Sequence, residues 1–589
     1  MMLQTIDWAI IGAFFAGSLA VGLAVTRRAG SSMAEYFVSG RHMPWWLLGI
    51  SMVATTFSTD TPNLVTDIVR TNGVAGNWVW WAFLLTGMLT VFVYARLWRR
   101  SGVLTDIEFY ELRYSGKSAA FLRGFRALYL GVFFNVMIMA AVTLAAIKIG
   151  GVMLGLSPVQ TVFLAGLVTV IYSMLGGLTG VLLTDLLQFT MAMIGSVAAA
   201  YYAVQHPSVG GLQGLLAHAN VQGKLALLPD FSNLNLAVSV FIMPLAVQWW
   251  SVWYPGAEPG GGGYIAQRML AAKNEQHALG ATFLFNVAHY ALRPWPWIIV
   301  ALCSLVVFPE LADLQRAFPG VDAQVMKHDL GYPAMLTFMP AGLLGLVVAS
   351  LVAAYMSTIS THLNWGSSYV VNDFYKRFVR PAARERELVL VGRISTALLM
   401  IMACVVSLYL ENALQMFAIL LQVGAGTGLL FILRWFWWRI NAWSELAAMI
   451  ISFVVALVMQ FVVRDVLQEW QKLVVGVGIT TAGWIVVTLL TTPAEERVLR
   501  RFVELVRPGG PGWNAVRARA AAAGELLAAG GTEGSIPRGV LCMALGCAAV
   551  YGVLFATGYF LYGKMMTGAV LLCVAVVSSG LLIQAWKKL

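Results

Sequence analysis

Ala354, Ser357, Thr358 and Thr361 recur at helical spacing in the apolar stretch 342–376 and so share one face, with Ser360 and Asn364 along its edge. Hydroxyls in such a row inside a membrane helix do one of two things. They bond back to carbonyls one turn earlier or join helices together. Alternatively, as hard oxygen donors backed by a small alanine, they replace the water around a dehydrated Na⁺. The row alone leaves both open. A second group stands at 55–63, Thr-Thr-Phe-Ser-Thr-Asp-Thr-Pro-Asn, where an apolar span loses its hydrophobicity. A carboxylate and a proline at membrane depth are costly unless the backbone unwinds onto a protein-lined cavity. The span beginning near Leu236 is interrupted in the same way by Tyr254, Pro255, Gly256, Ala257, Glu258 and Pro259, then by the run 260–263 of glycines. Both places predict broken helices.

Other polar groups sit inside apolar runs. Thr184, Asp185 and Gln188 open one span, where Asp185 either caps the amino-terminal end or lines an ion path. Asn286, His289 and Arg293 fall on one face of another. An arginine so far from a helix end needs a partner, which Glu258 or Asp60 would supply; a structural ion pair and an anion site both fit. His289 reads as a hydrogen-bonded packing residue or, beside Glu258, as a proton relay. Trp78, Trp80, Trp81, Trp249, Trp250 and Trp253 form an interfacial belt or a stacking platform for a ring or a cation. The cysteines, all in apolar runs, have neither metal-ligand spacing nor a disulfide framework and read as packing residues. No nucleophile–base pair or metal cluster stands out, so an enzyme is not expected.

The elements that position these groups follow from composition. The chain is 59% apolar and 11% charged, against roughly 45–50% and 25% for a soluble domain. About fifteen apolar runs of membrane-spanning length recur from end to end, the first read as a retained helix. Lys and Arg crowd alternate loops: Arg27, Arg28 and Arg41; Arg96 to Arg126; Arg268 and Lys273; Lys376 to Arg386; Arg434 and Arg439; Arg497 to Arg519; Lys587 and Lys588. The positive-inside rule then gives a multi-pass protein of the cell membrane with an outside amino terminus and a cytoplasmic carboxyl terminus. The net charge of +11 therefore reports topology, and nucleic acid is not an expected partner. Residues 105–113 read as a short amphipathic cytoplasmic segment or a solvated loop. Paired interruptions in two halves point to an inverted-repeat architecture with its site between them. The expected layout is a peripheral helix at 1–30, five core helices at 44–205 and five at 235–438. Two peripheral helices at 439–492, a partly helical cytoplasmic linker at 493–538 and two further helices at 539–589 complete an all-α polytopic membrane protein.

Three motifs carry a family resemblance. They are Gly176-Gly177 through Val181 to Thr184-Asp185 and Gln188, Glu108-Phe109 with Glu111 and Arg113, and Tyr264-Ile265-Ala266-Gln267-Arg268. Together they make the chain resemble the sodium:solute symporters, which share the five-plus-five inverted-repeat fold of the leucine-transporter class, over about residues 5–465. The resemblance implies a sodium site between the first and eighth core helices. Its ligands would be the carbonyls of Ala54, Phe57 and Ala354 and the hydroxyls of Ser357 and Thr358. Neutral oxygens suit a hard cation, and an unwound helix supplies free carbonyls. In some members, hydroxyls matching Ser360 and Thr361 join an acidic residue of the fifth core helix. Asp185 stands at that place, so Asp185, Ser357, Ser360 and Thr361 form an expected second sodium site, with two ions per solute; helix capping by Asp185 is the alternative. The chain departs from sugar-transporting members by extra length between Gln248 and Tyr264.

The expectation is a sodium-coupled secondary active symporter that imports a small polar organic solute, sugar-like or a carboxylate or amino acid, by alternating access. Thr56, Ser58, Asp60, Trp253, Glu258, His289 and Gln422 are the expected solute contacts, Gln422 through its place in the tenth core span one heptad from Gln415. An uncoupled channel or a solute sensor on the same fold is the alternative. Expected partners are the solute, sodium ions and the lipid bilayer; the sequence does not set the oligomeric state.

Overall fold

The computed structural model describes residues 3–321, 326–410, 420–463, 466–525, 527 and 535–589. Apart from two isolated bridges, the described residues form no β-structure. Twelve helices among them are long and apolar enough to cross a membrane. The count falls below about fifteen for identifiable reasons. Core helix 1 is broken into Trp45–Thr55 and Asp60–Asn72, core helix 4 contributes only the shorter apolar Pro158–Ile171, and core helix 10 is described only as 420–424 and Gly428–Leu433, residues 411–419 with Gln415 lying outside the described residues.

Core helices 2 and 3 are Val74–Ser101 and Gly116–Leu154. Core helices 4 and 5 run together as Pro158–Val204, opened by a capping box between Ser157 and Gln160 and bent at Gly177 (φ 52°, ψ −159°). That backbone region belongs to glycine, and a Cβ there would lie 2.8 Å from the Tyr36 carbonyl oxygen. Core helix 6 is Leu234–Ser251 followed, after a break, by Gly263–Ala271; core helices 7, 8 and 9 are Glu275–Val307, Leu343–Val379 and Glu385–Ser407. Helices 1 and 6, five spans apart, both break within the span, and core helix 10 is interrupted at 425–427.

Both breaks satisfy their freed backbone inside the protein, as membrane depth demands. At the first, Phe57 N–H donates to Ala54 O at 3.0 Å and Thr61 N–H to Ser58 O at 3.2 Å. The second spans 252–262, and three of its four glycines (Gly256, Gly260 and Gly261) take positive φ, as does Gly263 at the start of the resumed helix, which accounts for the glycines there. Its backbone is strapped to an interruption in core helix 10: Val252 bridges Ala425, Trp253 N–H donates to Gly424 O at 3.1 Å, and Gly426 N–H to Ser251 O at 2.8 Å.

The outer helices hold the core in specific ways. On the first helix, Thr5–Ala29, the buried Asp7 accepts hydrogen bonds from Gly342 and Gly345 N–H, both at 2.7 Å, and thereby caps core helix 8. The hairpin of Ser535–Leu561 and Met565–Trp586 docks through Tyr551 on the Trp81 carbonyl and Trp295 on the Leu554 carbonyl, both at 2.8 Å. The 493–538 stretch is more than a linker: its helix Glu496–Val506 buries Phe502 and stacks it on Trp513. The 105–113 segment is not a solvated loop either. Arg113 is fully buried beneath Trp513 and Phe502, 4.8 and 5.4 Å from the ring centres. Burial alone would raise the Glu111 carboxyl, but hydrogen bonds from Arg377 and Arg123 hold it below the usual carboxylate range.

Candidate ion and solute site

Core helix 1 meets core helix 8 at its break. Thr358 Oγ1 donates to the Thr55 carbonyl at 2.8 Å and to Ala354 O at 3.2 Å, and the Thr55 and Thr361 hydroxyls lie 2.9 Å apart. Ala54, Phe57, Ala354, Ser357 and Thr358 are all nearly fully buried along this contact. The hydroxyl protons of Thr358 and Ser357 are spent on carbonyl and carboxylate acceptors, which leaves oxygen lone pairs for a cation. A set of carbonyl and hydroxyl oxygens without a net charge fits Na⁺.

Beside it lies a polar cluster of a different kind. Asp185 Oδ1 accepts from Ser357 Oγ at 2.6 Å and Oδ2 from Ser51 Oγ at 2.5 Å. Gly177, where helix 5 begins, is more than two turns before Asp185, so the carboxylate bonds across to helices 1 and 8 instead of capping its own helix. Ser360 donates to the Ser357 carbonyl at 3.1 Å. Arg268, from the second half of core helix 6, stands among these groups, fully buried, 4.0 Å from Asp185 and donating to Thr361 Oγ1 at 2.7 Å and Ser51 Oγ at 3.1 Å. The sequence reading took Arg268 for a loop charge; its counter-charge comes from a helix about eighty residues earlier, which no local pattern signals. Gln188 is buried nearby in sequence with neither side-chain polar atom satisfied.

A cavity of about 160 Å³ opens against the break, and Thr56, Ser58, Asp60 and His289 line it. His289 lies between Thr56, 2.9 Å from its hydroxyl, and the Arg293 guanidinium. Arg293 also donates to Val53 O and sits 5.2 Å from the Trp297 ring centre, so it pairs with neither Glu258 nor Asp60. The other expected contacts lie elsewhere. Glu258 is folded into the loop of the second break, accepting from Gly256 N–H at 3.1 Å. Trp253 packs on Phe134 and is strapped to core helix 10. Gln422 donates to Glu469 at 3.0 Å in a separate cavity of about 320 Å³. The eleven-residue unwound segment is long enough to carry the first two away: Glu258 turns back onto its own backbone, and Trp253 follows a main chain tied to Gly424.

The sequence reading also overlooked cavity residues. Lys148, within the third core span, pairs with Asp329 at 2.8 Å on the cavity wall; a lysine inside an apolar run is the signal that could have found it. Asn63, Tyr254 and Tyr290 also line the cavity.

Broken helices facing each other across a midplane cavity, with an oxygen-lined pocket where one meets a hydroxyl-bearing helix, define an inverted-repeat secondary transporter. The sequence profile of the sodium:solute symporter family matches residues 36–452, and the chain belongs to that family. It is 26% identical over 479 residues to a sodium/glucose cotransporter of Vibrio parahaemolyticus, covering 78% of this chain and 86% of that one. It is 26% identical over 494 residues to a sodium/myo-inositol cotransporter 2 of Mus musculus, with 77% and 70% covered. A solved Na⁺-coupled sialic acid symporter, in a substrate-bound outward-open state, superposes with a TM-score of 0.66 at 20% identity, covering 84% of this chain and 99% of that one, a likeness of fold. The protein is thus a multi-pass membrane transporter, not an enzyme, and Na⁺ is its coupling ion.

Proposed function

We propose that the protein imports a small polar organic solute together with sodium by alternating access. Sodium binds the carbonyls of Ala54, Phe57 and Ala354 and the hydroxyls of Ser357 and Thr358. The solute binds in the cavity beside the same break, against Thr56, Ser58, Asp60 and His289. The observation that carries this reading is the Thr358 to Thr55 contact, which joins the unwound carbonyls of helix 1 to the hydroxyl face of helix 8. Ion ligands on two helices tie their relative placement to sodium, and a solute held by one of them shares that equilibrium; this is the physical content of coupling. The arginine-rich loops face the cytoplasm and the amino terminus lies outside. At the Asp185, Ser357, Ser360 and Thr361 cluster, the resident Arg268 competes with a second sodium.

Solute-driven ²²Na⁺ uptake into proteoliposomes tests the reading, since a channel passes sodium without solute and a sensor passes none. Ser357→Ala and Thr358→Ala each remove one of five oxygens, and the sodium concentration for half-maximal uptake should rise about five- to thirtyfold, from roughly 1–2 kcal/mol per lost ligand. Unchanged values in both variants would remove the site.

A further inference from the structure

The wall of the central cavity carries two opposite charges that attract one another across a gap but form no salt bridge. Asp60 opens the second half of core helix 1, and its Oδ1 is buried without a hydrogen-bond partner. One turn later Asn63, 3% exposed, lines the same cavity with neither Oδ1 nor Nδ2 satisfied. Arg293, 1% exposed, is on the wall too, and its guanidinium bonds only neutral acceptors, the carbonyls of Val53 and His289 and the His289 ring. The remaining charges facing the cavity account for themselves: Lys148 is paired with Asp329, and Asp67 accepts from Thr71. A carboxylate or guanidinium out of water without a counter-charge in contact is expensive, and Asp60 has only backbone N–H groups at its helix start and the guanidinium across the gap. Two of opposite sign on one wall are explained by a ligand that completes both.

The rest of the lining supports the same ligand. Trp80 is stacked with Tyr290, ring centres 5.9 Å apart, and Phe83 with Tyr254 at 5.8 Å; all four rings line the cavity. Aromatic faces beside a carboxylate attract a cationic nitrogen, and quaternary ammonium groups most distinctively. The volume of about 160 Å³ matches that of an engineered cavity, about 150 Å³, that holds benzene, so the solute is small. A neutral polyol would offer hydroxyls to both charged groups but neutralise neither.

We infer that the solute is a small zwitterion. Its cationic nitrogen lies at Asp60 and Asn63 against the aromatic wall, and its carboxylate turns to Arg293 and His289. This rests on the symport reading of the same cavity and names the class of solute it takes.

The test is ²²Na⁺ uptake into proteoliposomes driven by inward gradients of glycine betaine, L-proline and L-alanine, beside D-glucose and myo-inositol as neutral solutes, choline as a cation and propionate as an anion. Zwitterions should drive uptake while the others do not. In Asp60→Asn their half-saturating concentration should rise at least about tenfold, the loss of a charged hydrogen bond, with partial recovery in Asp60→Glu. A sodium-dependent thermal shift of each variant shows that it is folded, and the wild-type solute panel decides even if both variants fail to fold. Uptake driven by glucose or inositol with zwitterions inert overturns the inference and leaves symport standing. Choline or propionate alone as effective as the zwitterions overturns the two-charge site. No uptake with any solute, in protein whose sodium shift is intact, overturns the symport reading and this inference with it.

Discussion

Asp185 and Arg268 pose a problem of charge that decides the stoichiometry. Both are fully buried, 4.0 Å apart, and share Ser51 as a hydrogen-bond partner. While the guanidinium also holds Thr361, the hydroxyls meant for a second ion have a cation already. We expect a coupling ratio of one sodium per solute in the wild type and of two in Arg268→Gln, read from the solute's reversal potential at several imposed sodium gradients; a ratio of two in the wild type would mean that sodium displaces the arginine. The same pair predicts a stability pattern. Breaking a buried pair from one side costs about 3–5 kcal/mol, whereas removing both partners costs far less. In thermal unfolding, Asp185→Asn should therefore be less stable than Asp185→Asn combined with Arg268→Gln, and the reverse order would show that the two charges do not depend on each other.

At the scale of elements, the breaks are readable from sequence because a proline, a carboxylate and a glycine run have no place in a continuous apolar helix. Their internal architecture is not. Asp60 and Pro62 belong to the resumed helix, with only 56–59 unwound, while the second break takes up 252–262. Proximity in sequence to a break placed Thr56, Ser58 and Asp60 at the cavity, since a four-residue break cannot carry its side chains away. It misplaced Trp253 and Glu258, since an eleven-residue loop can. Core helices 4 and 5 read as two spans, yet they form one bent rod whose corner is Gly177. Gly177→Ala must enter a region closed to L-residues and press a methyl 2.8 Å from the Tyr36 carbonyl. The melting temperature in detergent should drop by about 1–2 °C, from a cost of about 1–3 kcal/mol spread over a chain of this length, and an unaltered melting point would show that the bend relaxes freely.

For the whole molecule, the alternation of basic loops sets the expected sidedness but counts residues that never reach water. Arg113, Arg123, Arg126, Arg268 and Arg434 are buried, Arg123 on Asp373 at 2.6 Å and both Arg126 and Arg434 on Glu445 at 3.5 and 3.3 Å. Composition cannot tell a topogenic arginine from one that clamps two helices, because the carboxylate can lie far away in the chain, 250 residues for Arg123 and 319 for Arg126. The orientation is checked in a cysteine-free background: Ser208→Cys, exposed on the loop after core helix 5, should react with an impermeant maleimide in intact cells, and Lys117→Cys, exposed in the first turn of core helix 3, only after permeabilisation. The opposite pattern would invert the molecule.

The capping of core helix 8 by Asp7 reaches further than its place on an outer helix suggests. The carboxylate fixes the end of a rod that bears Ser357 and Thr358, about 24 Å along its axis at 1.5 Å per residue. About half of that outer helix is exposed, so whatever tilts it pulls on the cap. In an engineering sense the first helix is a trim screw for the rod it caps: a turn there is felt at the Ser357 and Thr358 hydroxyls proposed to hold sodium, and at the cavity wall that Thr358 and His362 also line.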